Sequence, residues 1–124
     1  MHGESMASPA LPDAPRTLDS SVVLVLTTLP AGTDAAAFAR TLVEERLAAC
    51  VSVGGEMQSI YRWNHTVEQD REHQVVMKTV RGMVGPLRTR MATLHPYEVP
   101  EFIVITADDS GDAYLEWVRR STGA

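Results

Sequence analysis

The runs CVSVGGEMQSIYRW (residues 50–63) and VEQDREHQVVMKT (residues 67–79), joined by Asn64-His65-Thr66, decide how this chain folds. Successive side chains on a strand point to opposite faces, and both runs sort by that parity. Met57, Ser59, Tyr61 and Trp63 share one face against Ile60 and Arg62, while Val67, His73, Val75 and Met77 share one face of the second run. Together they form a hairpin that outgrows its domain. Glycine weakens a strand unless the backbone has a special task there, so Gly54-Gly55 predicts a bulge or bend. The polar middle, Glu68 to Glu72, is expected on the distal, solvent-facing part of the ribbon. A two-stranded ribbon is marginal alone, and Tyr61 and Trp63 need a packing partner, which points to an oligomer interface.

Outward from the hairpin, VVLVLTT (residues 22–28) is an unbroken run of β-branched and aliphatic residues, the pattern of a central strand covered on both faces. Leu29-Pro30-Ala31-Gly32 turns the chain. Thr33 or Asp34 can cap a following helix whose apolar positions Ala35, Phe38, Ala39, Leu42, Val43 and Leu47 keep the helical period. After the hairpin a second helix is predicted over residues 82–94, with Met83, Leu87, Met91 and Leu94 at helical spacing and Pro86 in its first turn. A strand over residues 102–106 and a short helix over residues 113–120, with Asp112 as its N-cap, complete the chain. The order is β-α-β-β-α-β with an added C-terminal helix. That is the split βαβ pattern of an α+β, ferredoxin-like sandwich, in which the first and third strands are central.

At 124 residues the chain makes one domain, assigned to residues 21–124, behind a flexible tail at residues 1–20 that carries Pro9, Pro12 and Pro15. The net charge of -5 gives no general field for nucleic acid or an anionic membrane. No apolar run has the length of a bilayer span, so the protein is expected to be soluble and cytoplasmic. The single cysteine, Cys50, excludes an internal disulfide or paired-cysteine metal motif and is expected to be a buried small hydrophobe.

The chemistry-bearing stretch is His95-Pro96-Tyr97-Glu98-Val99-Pro100-Glu101, between the second helix and the last strand. Each proline fixes its own φ and pushes the residue before it towards extended conformations, so the connection is partly preset. His2, His65 and His73 sit in the tail and on the ribbon, where solvation is the simplest reading. His95 is better constrained, with satisfaction by a backbone group as its plainest role. It stands six positions from Glu101, roughly 20 Å if extended, so the two share a metal only if the connection folds back or another subunit supplies one. Glu98 with Glu101 would be an acid/base pair only in a cleft that separated their pKa values. No nucleophile elbow or phosphate loop is present. Arg81, Arg88 and Arg90 read as a solvated helix face.

Five separated signatures resemble one family, CutA, the divalent-cation-tolerance proteins. They are Glu45-Arg46-Leu47-Ala48-Ala49-Cys50-Val51, Ser59-Ile60-Tyr61-Arg62-Trp63, Lys78-Thr79, the His95 to Glu101 stretch, and Tyr114-Leu115-Glu116-Trp117-Val118. The resemblance implies a ferredoxin-like subunit in a homotrimer built through long hairpins, similar in architecture to PII signalling proteins, and a non-enzymatic part in metal tolerance. It also implies a copper site made by a first-strand cysteine with His95 and Glu101. Thr27 occupies the cysteine position, and a hydroxyl is a poor ligand for soft Cu(I), so weak Cu(II) or Zn(II) binding at His95 and Glu101 is what carries over. The alternative is a PII-like signalling or scaffold trimer with a small ligand or partner protein in its inter-subunit clefts. Asn64-His65-Thr66 replaces the family's usual glycine-containing tip and is expected to make a looser or longer loop.

Overall fold

The structure, a computed structural model, describes residues 20–123. The expected tail lies almost wholly outside them. Strands β1 (Val22–Pro30), β2 (Cys50–Trp63), β3 (Thr66–Val80) and β4 (Ile103–Thr106) form one antiparallel sheet in the order β2-β3-β1-β4. Helix α1 (Ala35–Glu44) links β1 to β2, and α2 (Val84–Leu94) follows β3 through a single 3₁₀ turn, Arg81–Met83. The terminal helix α3 spans Asp112–Ser121. This is the ferredoxin-like α+β arrangement, with β1 and β3 central.

Helix α1 forms where the sequence directs it. The Asp34 carboxylate accepts the Ala37 N–H at 3.0 Å, satisfying one of the donors a helix start leaves free. The apolar stripe then buries Ala35, Phe38 and Leu42 against the sheet. They meet Val23, Val25 and Leu29 of β1, Val75 and Met77 of β3, and Leu87 and Met91 of α2 in the main core. A smaller cluster joins Val22, Ala49, Val80 and Val118, which docks α3 on the sheet's other end. Arg46, at φ 62, fixes the tail of α3 by donating to the carbonyls of Gly123 and Arg120 at 2.8 and 2.6 Å.

Only one sheet face is sealed by the described residues. Val23 and Val25 of β1 are fully buried beneath the helices, while Leu24 and Leu26, on the opposite face, remain half-buried. Beside them on β4, Ile105 and Ile103 are exposed. The expected double coverage of β1 is therefore incomplete among the described residues, because both packing helices lie on the same side. Cys50 is on the less covered side too: it is half-buried rather than buried, with its Sγ 3.8 Å from Lys78 Nζ.

The hairpin departs from expectation at its tip. Trp63 pairs directly with Thr66, leaving a two-residue turn with Asn64 and His65 at φ 49 and 68. Two successive left-handed residues are the requirement of the hairpin turn whose twist matches the strands, and asparagine tolerates that conformation without glycine. The predicted looser loop is absent for that reason. Gly54-Gly55 does interrupt the ladder, since pairing shifts register between Val53 and Glu56. Asp112 begins α3 instead of capping it; Gly111 is the cap residue and supplies no side chain.

Leu42 lies on α1 with no exposed surface, at the centre of the main core. Leu42→Ala is expected to cost about 2–5 kcal/mol in a urea unfolding experiment; a loss well under 1 kcal/mol would contradict this packing.

Candidate functional site at the hairpin stem

The connection from α2 to β4 runs past the end of β1, where β4 no longer pairs. Pairing between those strands stops at Leu26 with Ile103. Beyond it, side chains take over two β1 carbonyls: Gln74 Nε2 donates to Thr27 O at 2.8 Å, and His95 Nε2 lies 2.7 Å from Thr28 O. The Tyr97 N–H meets His95 Nδ1 at 3.1 Å. A backbone N–H can only donate, so Nδ1 is the accepting nitrogen and Nε2 carries the proton it gives to Thr28. His95 is thus a neutral, buried imidazole with both nitrogens engaged. Thr27 Oγ1 lies 3.2 Å from the same Nε2, and the Phe38 ring meets the imidazole edge-on at 6.1 Å.

His95 touches Thr27, while Glu101 Oε2 is 3.4 Å from Gln74 Nε2, whose other contact is the Thr27 carbonyl. His95 thus meets the Thr27 side chain, while among the described residues Glu101 reaches only Gln74, whose register partner is Thr28 on the other face of the sheet. Among the described residues no group of three or more histidine, cysteine, aspartate or glutamate side chains is placed to hold a metal ion.

The residue that sequence reading misplaced is Glu72. Grouped with the solvated charges from Glu68 onwards, it is instead only 7% exposed. Its Oε2 accepts from the Tyr97 hydroxyl at 2.5 Å and from Thr28 Oγ1 at 3.2 Å. Strand parity held a signal: Glu72 shares its face with Gln74 and Val76, the side on which the proline-held connection arrives. Burial, followed by the hydrogen bond to Glu72, pushes the Tyr97 hydroxyl well above the ordinary tyrosine pKa. On the ribbon, the Tyr61 hydroxyl donates to Asp70 and is pushed up to about 12, first by that bond.

These elements line a half-open cavity of about 530 Å³. Thr28, Glu72 and Gln74 form its floor. The ribbon supplies Met57, Ser59, Tyr61 and Trp63, and the connection supplies Tyr97 through Glu101 opposite. Glu98, weighed as half of an acid/base pair, is thus a wall residue beside Glu101. The arginines of the second helix lie elsewhere and are engaged: Arg90 holds Glu45 through two 2.8 Å bonds, and Arg88 sits 4.8 Å over the Phe102 ring.

A family model described as "CutA1 divalent ion tolerance protein" matches residues 23–121. The chain belongs to the CutA divalent-cation tolerance family. The "Divalent-cation tolerance protein CutA" of Thermus thermophilus is 41% identical over 100 residues, which are 81% of this chain and 97% of that protein. Human "Protein CutA" is 36% identical over 115 residues, 93% of this chain and 64% of the human protein. The solved structure of the Thermus thermophilus protein superposes with a TM-score of 0.79 at 40% identity, covering 82% of this chain and 99% of that one. The CutA matches thus take in the hairpin, the His95 connection and α3 together. Among the described residues no helix is long and apolar enough to cross a membrane.

Burial holds the His95 pKa below its ordinary 6.5, outweighing the Thr28 and Glu72 contributions that favour the charged form. The unfolded chain therefore binds this proton at a higher pH than the native one. The contribution is fully present above about 6.5 and is lost as pH falls towards the depressed native value. His95→Gln is expected to flatten that part of a stability-versus-pH curve measured by thermal melts. An unchanged slope would rule out the buried neutral imidazole.

Proposed function

We propose that this chain acts in tolerance of divalent metal ions as a cytoplasmic homotrimer, without catalytic turnover. The observation that carries the reading is the apolar ribbon. Residues 66–71 of β3 pair with β2 but not with β1, so the distal hairpin is two-stranded, yet Ile60 is 67% exposed and Val67 59%. Tyr61 and Trp63 are exposed on the ribbon's opposite face, the one that Ile103 and Ile105 continue onto β4. A ribbon of this kind is marginal in water unless it is packed. Copies of the same chain are the partners that suit the family membership and supply a complementary uncovered sheet face.

An imidazole and a carboxylate are ordinary donors for Cu(II) or Zn(II), and in this reading His95 and Glu101 would hold such an ion. The ion would be bound weakly. His95 must release the Thr28 carbonyl or the Tyr97 N–H before it offers a lone pair, and Thr27 contributes no thiolate. Acid weakens such binding further by protonating the imidazole. The alternative of a PII-like signalling trimer has no separate observation in its favour.

Light scattering at micromolar concentration is expected to return the mass of three chains; a monomer would contradict the assembly. Titration with Zn(II) or Cu(II) is expected to show weak binding that His95→Ala abolishes. Equal binding by wild type and variant would refute the His95 site.

A further inference from the structure

We propose that the uncovered inner sheet face of one copy receives the acidic face of a second copy's distal ribbon, with Lys78 of the first paired to Glu68 or Asp70 of the second. The inference rests on the assembly of copies proposed above and names the contact that directs it. Helix α3 covers the open face only at its base, where Val118 packs on Val22 and Val80. Between there and the stem, strand register sets Leu24, Leu26, Val76, Ile103 and Ile105 on one side with Lys78. Among the described residues Lys78 is the one charged side chain that the strands place on this stretch, and it is already half-buried. Its ammonium donates to Ser52 Oγ at 3.0 Å and lies 3.8 Å from Cys50 Sγ, and no carboxylate among the described residues pairs with it.

Water serves that ammonium only while the face stays open. Covering the face strips the water away, and a desolvated ammonium is costly unless a carboxylate comes with the cover. Whatever packs here must therefore bring both apolar surface and an anion. The distal ribbon carries both on one face: Glu68 stands opposite Tyr61 and Asp70 opposite Ser59, with Trp63 beyond them. Neither carboxylate is in an ion pair among the described residues, and the ribbon's Arg62 and Arg71 lie on its other face. The chain's own ribbon cannot supply the anion, because Asp70 and Glu68 are eight and ten positions from Lys78 along one strand, roughly 26 and 33 Å at strand rise. A second copy can. Two acidic ribbon faces would oppose like charges if they packed on each other, so the acidic face meets a different face of the next copy. That is a head-to-tail contact, the kind that closes into a ring.

Charge reversal on the full chain tests the pairing, with light scattering read against protein concentration in enough urea to bring the wild-type midpoint of dissociation to micromolar. Lys78→Glu sets like charges together and is expected to raise that midpoint at least about tenfold. Combining it with Glu68→Lys or with Asp70→Lys rebuilds the pair with its signs exchanged at every interface of the ring. Whichever carboxylate faces Lys78, that combined variant is expected to return to within about threefold of wild type. Should Lys78→Glu alone fail to fold, the combined variants still decide, since recovery of the assembly by either supports the pairing and recovery by neither overturns it. Lys78→Glu chains that associate as tightly as wild type also overturn it. A wild-type monomer would sink the assembly reading together with this one, whereas a wild-type trimer without charge coupling would sink this pairing alone.

Discussion

A carboxylate buried at the end of a sheet dictates the geometry of everything near it. Glu72 is removed from water and must be hydrogen-bonded, and its two donors come from different parts of the chain: Thr28 on the neighbouring strand and Tyr97 on the proline-held connection. Drawing Tyr97 to Glu72 pins the connection across the end of β1. The same placement puts the Tyr97 N–H against His95 Nδ1 and leaves Nε2 facing the Thr28 carbonyl. One buried charge thus orients the histidine, fixes its tautomer and closes one wall of the cavity.

The second determinant is the glycine pair in β2. Gly54 approaches the partner strand closely: a Cβ there would lie 3.3 Å from Gln74 O. The register shift at this point changes which parity of β2 faces the uncovered side. Before the bulge Cys50 and Ser52 lie on that side; after it Met57, Ser59, Tyr61 and Trp63 do. Without the extra residue the aromatics would face away from Glu72 and the cavity would lack its ribbon wall. His73 Nδ1 lies 2.9 Å from Gly54 O and braces the bulge from the opposite face.

Much of this was legible in the residues. The β-branched run at residues 22–28, the helical stripe behind Asp34 and the parity of the two long runs give the element order and the central strands. The prolines flanking Tyr97 marked the connection as preset. Glu72 was not legible, because a single carboxylate in the run Glu68 to Glu72 has the appearance of a solvated face, and its donors lie 25 and 44 positions away. The tight Asn64-His65 turn was hidden by the absence of glycine, although asparagine's tolerance of left-handed backbone was the available clue. Coverage of the open sheet face is likewise a property that no periodicity within one chain specifies.

Packing of the distal ribbon in the working particle is the central claim. Hydrogen–deuterium exchange across residues 56–71 tests that directly, since backbone amides in a solvated two-stranded ribbon open easily while those in a packed one exchange only with larger openings. Protection of these amides approaching that of β1 and the inner part of β3 is the predicted result. Rapid exchange across the whole ribbon, beside a protected core, would contradict the proposed assembly.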